Sequence, residues 1–505
     1  MLSDLGFLKD GQPWPPKEET ARIARMTANI DIYGGGRAAF KKMQLWLNKD
    51  LEARDKKLHI KVDLPKKAAD VVINGAMPEL TIGMPPSGKD AEGSPIPDER
   101  LEDLEKWIDD ERIYNTVEEI GVDWCRCGVG LAKISRARDK VRVRSIRPDH
   151  WIPVCYPDDD RVYRHHVIWA EKIEGVEGQE TTWLKMEIHS ETSIEYRIYK
   201  VTESKKLERH DLSERPDWFG DYDLRGDVQQ TPGWCIYPIW NSRTSDQDYG
   251  APDAAFSDTG LSLVEAIEMA LSQRRYNHHS HSKPVTVTNR DIAARDQYTD
   301  RLKVDLEKPL VIQPDGPKAS EAIAFVAPPL DSSSLITEEV RDLLSTFVNT
   351  SGLSAAMISG IEASNVTSGR ALMLELTPTM DHLRRFRAAF WSEIPAILEA
   401  ASRLATPASG LPTITAEDIL LNWELSLAAD PTEMAQRHEI LVRAGVFSPQ
   451  QCHREMGLSD EESKAIMDEI EANAMAKAPS GPELEPLTLE IPPGGGINAT
   501  KKGQI

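Results

Sequence analysis

Apolar and polar positions recur with two different periods along this chain, and the change of period divides it. Pro13, Pro15 and Pro16 break the first stretch, and a short helix is expected over residues 18–30. Residues 37–57 read as helical, with Phe40, Met43, Leu45 and Trp46 on one apolar side. Residues 58–80 pass from a short strand to a helix starting near Pro65, since a proline is tolerated where its missing N–H would be unpaired anyway. The Gly/Pro/Asp-rich stretch 83–98 predicts a surface loop, and 101–130 predicts helix. From 131 to about 240 the period drops to two: Val141 and Val143 alternate with Arg142 and Arg144, and 196–201 is similarly strand-like. Ten of the twelve tryptophans precede residue 241. The first half is therefore expected to be mixed α and β with an aromatic-rich core, and the second half mainly helical.

Three helical patterns follow. Leu263, Val264, Ile267, Ala270 and Leu271 form one stripe, and Ile336, Val340, Leu343, Leu344, Phe347 and Val348 form another, with Asp331 to Ser334 as N-cap candidates. Such stripes suit an ordinary helical core and an interface between copies equally well. Between them, 283–330 carries strand-like runs (284–288, 309–313) around a possible helix at 291–302. A Gly/Ser/Asn segment, 351–369, leads to a long helix in which Leu376, Leu383, Phe390 and Ile397 recur every seven residues. Pro378 and Pro395 are expected to kink it. Residues 412–476 predict a small helical domain. The tail 478–505 is too poor in apolar residues to order itself alone. No internal repeat is visible.

The 505 residues suggest about three domains. With 60 Lys+Arg against 82 Asp+Glu, the formal net charge is 60 − 82 = −22. That balance disfavours a protein that grips nucleic acid by neutralising phosphate, but not one that surrounds DNA without holding it. No apolar run is long enough to cross a membrane, the N-terminus lacks the pattern of a secretory signal, and five cysteines argue for a reducing compartment.

Candidate chemistry is weak. Residues 83–90 (GMPPSGKD) approach a phosphate-binding loop, yet Pro85 and Pro86 delete backbone donors, Asp90 replaces the metal-binding hydroxyl, and no helix start follows. His278, His279 and His281 lack a nearby Cys or acidic co-ligand. Cys125 and Cys127 are a lone C-x-C pair and read as buried residues of a helix. Gly34 to Gly36 read as a turn, as do Asp158 to Asp160. No nucleophile elbow or zinc-protease motif occurs. No catalytic residue, metal or cofactor is expected, and the chain does not read as an enzyme.

The order of elements, and several of their sequences, resemble the portal proteins of tailed bacteriophages over roughly residues 30–475. Residues 58–82 resemble the extended stretch and helix near the start of that family's core. Residues 124–159 look like its glycine-terminated helix leading into strands, with Pro148-Asp149 and Pro153-Val154 at the turn. Residues 236–273 resemble the approach to its first long helix. The strongest match is 346–390, and 441–470 looks like its crown segment. Met380 stands where a leucine is usual, and 83–98 looks like an insertion.

This resemblance implies an α+β multi-domain portal fold. Its parts would be an N-terminal arm (1–30), a mixed α/β wing (31–250), a first stem helix (251–282), a small α/β clip (283–330) and a second stem helix (331–352). A tunnel loop (353–369), a long kinked helix (370–411), a helical crown (412–477) and a C-terminal tail (478–505) would follow. It further implies a homo-oligomeric, usually twelve-membered ring at one capsid vertex of the virion, assembled in the host cytoplasm. Double-stranded DNA would pass through it in packaging and ejection. The terminase large subunit and then a head–tail adaptor would dock on it, beside the major capsid and scaffolding proteins, with no membrane involved. Ser354, Ser359, Glu362, Ser364, Asn365, Thr367 and Ser368 would form the tunnel loop, which contains no Lys or Arg. Arg274 and Arg275 would face DNA, or instead pair with acidic neighbours or reach solvent. Arg290, Asp291, Arg295, Asp296 and Arg301 would meet partners at the clip. The competing readings are a DNA-translocating ATPase built on residues 83–90 and another virion head–tail component.

Overall fold

The computed structural model describes residues 2–43, 59–77, 80–89, 95–137, 140–174, 181–211, 228–242, 249–281, 286–287, 324–325, 331–359 and 369–423, with 463–464 and 466–467. The chain divides into two units, Met1–Ser426 and Leu427–Ile505. The second unit's few described residues are helical; the first is α+β.

In the first unit the arm is part of a sheet domain. Leu2 bridges Val154 and Pro13 bridges Lys206. Leu8 and Trp14 are buried beside Ile152, Val154, Trp169, Leu184 and Tyr199, and Tyr199 Oη donates to the Leu8 carbonyl at 2.8 Å. Helix α1 (Lys17–Tyr33) follows. The sheet is an antiparallel meander of β6 (Trp151–Tyr156), β7 (Asp159–Glu174), β8 (Thr181–His189), β9 (Ser193–Val201) and β10 (Leu207–His210), with β11 (Val228–Gln230) also on β9. Asp158 lies in the turn joining β6 to β7 and Asp159 opens β7.

A second antiparallel sheet orders β12 (Ile236–Trp240), β4 (Val129–Ala137) and β5 (Lys140–Ser145). Val141 and Val143 are buried while Arg144 is exposed, as the alternation requires. Lys133 of β4 joins the two sheets through an ion pair with Glu187 of β8, 2.5 Å.

The largest core lies where helices α2 (Leu64–Ala76), α4 (Ile113–Cys127) and α8 (Gly369–Trp391) meet. Trp124 sits edge-on to Phe386, and Phe386 stacks on Phe390. Gly121 permits this approach, because a Cβ there would stand 2.8 Å from Ile73 Cδ1. Pro65 occupies the first turn of α2.

Four expectations are revised. Residues 101–130 form two helices, α3 (Leu101–Glu111) and α4, broken where Arg112 takes φ 54°. Residues 59–63 join no sheet; the Ile60 and Val62 amides donate to Ser272 Oγ and Glu268 Oε1 instead. The long helix runs through Pro378 and breaks at Ser392, which places Pro395 in the first turn of α9 (Glu393–Leu404), where its ring is tolerated. Residues 412–423 do not open a helical domain. They pack on the first unit, and β15 (Leu420–Trp423) pairs antiparallel with β1 (Leu80–Gly83).

Candidate channel-forming segment

The segment whose sequence points to a channel comprises α5 (Asp258–His281), α6 (Asp331–Ser351), α7 (Ala355–Ser359) and α8. Ser257 opens α5, its Oγ accepting the Gly260 amide at 3.1 Å. The apolar stripe is realised: Val264, Ile267 and Ala270 are buried, with Leu263 and Leu271 packed beside them.

α5 and α6 run antiparallel. Arg274, late in α5, donates to Thr337 Oγ1, early in α6, at 3.3 Å. A short antiparallel ribbon, β13 (Thr286–Val287) with β14 (Ala324–Phe325), joins the chain leaving α5 to the chain returning to α6. Phe347 and Val348 are buried near the other end, whereas Ile336, Val340, Leu343 and Leu344 are half-buried and Leu335 is 64% exposed. One chain alone thus covers only part of the α6 stripe.

Gly352, at φ 67° with open space where a Cβ would stand, lets the chain turn out of α6. Ser354 faces inward. It is 3% exposed, its amide donates to Thr379 Oγ1 at 2.8 Å, and its Oγ accepts the Met357 amide. Its sequence-based role as a loop contact to DNA therefore gives way to that of a helix cap. Ser359 ends α7, but its side chain lies outside the described residues. So do Glu362, Ser364, Asn365, Thr367 and Ser368, and the clip residues Arg290, Asp291, Arg295, Asp296 and Arg301. Arg274 is half-buried against Thr337, and Arg275 is exposed.

The electrostatics of the helix pair are mild. Exposed α5 positions include Asp258, Thr259, Ser262, Gln273 and Arg275; exposed α6 positions carry Glu338, Glu339 and Asp342 against Arg341. Among the described side chains neither helix presents a basic row.

Two buried polar joints hold these helices, and the sequence reading missed both. Glu265, Glu268 and Ser272 lie at i, i+3 and i+7 on α5. They accept the backbone amides of Met43, Val62 and Ile60 respectively, at 2.8, 2.8 and 2.9 Å. Glu268, with no exposed side-chain surface, also takes Arg37 Nε at 2.7 Å and His59 Nε2 at 3.2 Å, while Arg37 reaches Asp63 at 2.9 Å. The available signal was two glutamates flanking Ile267 inside an otherwise apolar stripe. In the second joint, His382 Nε2 of α8 meets Asp253 Oδ2 at 3.1 Å, and Asn241 Nδ2 donates to Asp253 Oδ1 at 2.7 Å. Arg385 donates to His382 Nδ1 at 2.7 Å, so the imidazole donates from Nε2 and accepts at Nδ1.

The other candidates take ordinary places. Gly83 ends β1, and Gly88-Lys89 forms a two-residue strand opposite Pro95-Ile96. That stretch is paired backbone rather than a cradle of free amides at a helix start. Cys125 and Cys127 are buried, and burial pushes both thiols well above their usual range. Gly34 to Gly36 turn the chain out of α1. His278 is exposed on α5. Among the described residues no group of three or more His, Cys, Asp or Glu could hold a metal ion, and no helix is long and apolar enough to cross a membrane.

No family model matches the chain, and no curated protein does. Solved structures show a distant likeness. "Neck of empty GTA particle computed with C6 symmetry" matches at TM-score 0.35 and 14% identity, covering 89% of this chain and 96% of that one. "Virion of native gene transfer agent (GTA) particle" matches at 0.33 and 14%, with the same coverage. "Neck of native GTA particle computed with C12 symmetry" matches at 0.34 and 12%, covering 90% and 97%. Likenesses of this strength carry no functional argument.

Proposed function

We propose that this chain is a portal subunit: a protein that closes into a ring around double-stranded DNA and lets it slide. The observation that carries the reading is the antiparallel pair α5–α6. Its far end continues through the ribbon β13–β14, and its near end runs through α7 into the long α8. This is the order that the sequence resemblance leads one to expect.

Three features support it physically. The half-buried α6 stripe leaves apolar area for a neighbouring copy, and a ring closed by rotation needs such head-to-tail surfaces. The exposed described positions of the pair are mainly polar, with carboxylates outnumbering guanidinium groups on α6. DNA carries about one negative charge per 1.7 Å of axis, so a basic lining would hold it and each phosphate contact would add friction. The buried joints at Glu268 and Asp253 fix α5 and α8 to the body, which suits a wall that must stay open under load. On this reading the inserted module 283–330 meets the packaging motor and later the head–tail adaptor, the subunit sits at one vertex of the virion, and the chain carries out no chemistry of its own.

Electron microscopy of the purified full-length protein tests this directly. Closed rings with a central hole are expected; solid particles, or persistent monomers under conditions that keep the protein folded, overturn the proposal.

A further inference from the structure

Two oppositely charged surfaces of the first unit have no ion-pair partner among the described residues. On the β4–β5 hairpin, Arg136, Lys140 and Arg144 are exposed and Arg142 is half-buried, and none of the four forms an ion pair among the described residues. Arg142 and Arg144 project from the same face of β5, two residues and so about 7 Å apart. β5 is the edge of its sheet, with β4 as its one described neighbour. Helix α3 buries Leu104, Trp107 and Ile108 and exposes Glu102, Asp103, Glu105, Asp109 and Asp110, with Lys106 as the one cation on that surface. None of these carboxylates forms a described ion pair either. Glu102, Glu105 and Asp109 follow one another at i, i+3 and i+7, a row with steps of about 5–6 Å. Glu105 and Asp109, four residues apart, repel each other on an isolated helix.

We infer that these surfaces meet between copies: the basic edge of β5 on one subunit docks against the acidic face of α3 on the next. The inference rests on the ring reading and gives it a specific contact. A rotation-closed ring brings one patch of each copy against a different patch of its neighbour, and every copy carries both halves of this pair. The opposite charge of the two surfaces selects a second copy over nucleic acid. A chain of net charge −22 repels phosphate at long range, and the three cations on one face of β5, Lys140, Arg142 and Arg144, are few for holding a duplex.

Charge reversal tests it on the full-length protein. R142E/R144E and E105K/D109K change one half-buried and three exposed residues, none with an ion pair among the described residues, and circular dichroism checks that each variant keeps its fold. Each alone is expected to slow ring assembly roughly tenfold at low salt, an effect that fades near 0.5 M salt, where charges are screened beyond about 4 Å. Combining both sets restores assembly to within about threefold of wild type, since the charges are exchanged rather than lost. The inference is overturned if either reversal leaves assembly unchanged or if the combined variant fails to recover. It is also overturned if R142E/R144E assembles normally but loses affinity for a short DNA duplex, which would make the hairpin a nucleic-acid surface. Wild-type protein that forms no ring at all defeats the ring reading itself, whereas wild-type rings indifferent to both reversals defeat only this contact.

Discussion

Single residues set limits that no neighbouring substitution can relax. Gly128 closes α4 at φ 82°, and a Cβ there would stand 2.4 Å from the Gly250 carbonyl oxygen. The left-handed conformation costs an alanine about 1–2 kcal/mol, and the backbone clash adds to it. Gly128→Ala is expected to lower unfolding free energy by more than about 2 kcal/mol, read as a shift in urea midpoint. His166 and His189 lie directly opposite each other on β7 and β8 and are almost fully buried. Burial pushes His166 down to about 3 and lowers His189 as well. An unfolded histidine titrates near 6.5, so between about 3 and 6.5 the unfolded chain binds more protons than the folded one. Their contribution to stability is full above pH 6.5 and is lost as pH falls, by up to ~1.4 kcal/mol per pH unit per group. Asp123, raised to about 6 by burial, works in the opposite direction over its own narrower window. In urea titrations at pH 7 and pH 5, His166→Gln should flatten the wild-type loss, because the amide oxygen can still accept Trp151 Nε1 without taking up a proton.

Among elements, α5 depends on a chain segment more than 200 residues before it. Glu268→Ala removes the acceptor of Arg37, His59 and the Val62 amide together. Deleting one partner of a buried ion pair costs about 3–5 kcal/mol, and thermal unfolding should show a loss of that order. Arg37→Met with Glu268→Leu should cost less than the sum of the two single changes. This element also shows what the sequence could and could not disclose. Strands with one buried face are legible, as in β5, where Val141 and Val143 announce their own alternation; β6, buried on both faces over residues 151–155, shows none. The stripes of α5 and α6 were legible for the same reason at helical period. The extended stretch 59–63 looked like a strand because it is extended, but its hydrogen-bond partners are side chains of α5, which no local pattern reveals. The break at Arg112 is a backbone choice with no glycine to mark it. Four-residue β15 is too short for its period to stand out. Ser354 read as a loop hydroxyl because Thr379, which fixes it inward, belongs to another helix.

Across the whole first unit, closure depends on β15. Leu421 and Trp423 enter the main core, Trp423 Nε1 donates to the Ala76 carbonyl, and Arg387 donates to the Trp423 carbonyl. Trp423→Ala should cost about 3–5 kcal/mol, with α2 and the β1 edge losing hydrogen-exchange protection before the β6–β10 meander does.

Thr81 and Asn422, paired across β1 and β15, are 341 residues apart in sequence. A ribosome making this protein therefore releases β1 long before its mate exists. Through most of synthesis the strand edge of β1 lacks the partner it will pair with, exposed to stray association with other nascent chains. Only when the last residues of the first unit leave the exit tunnel can that edge be sealed. The first unit is thus held back from its mature shape until residues 420–423 have been made, a built-in delay in its folding.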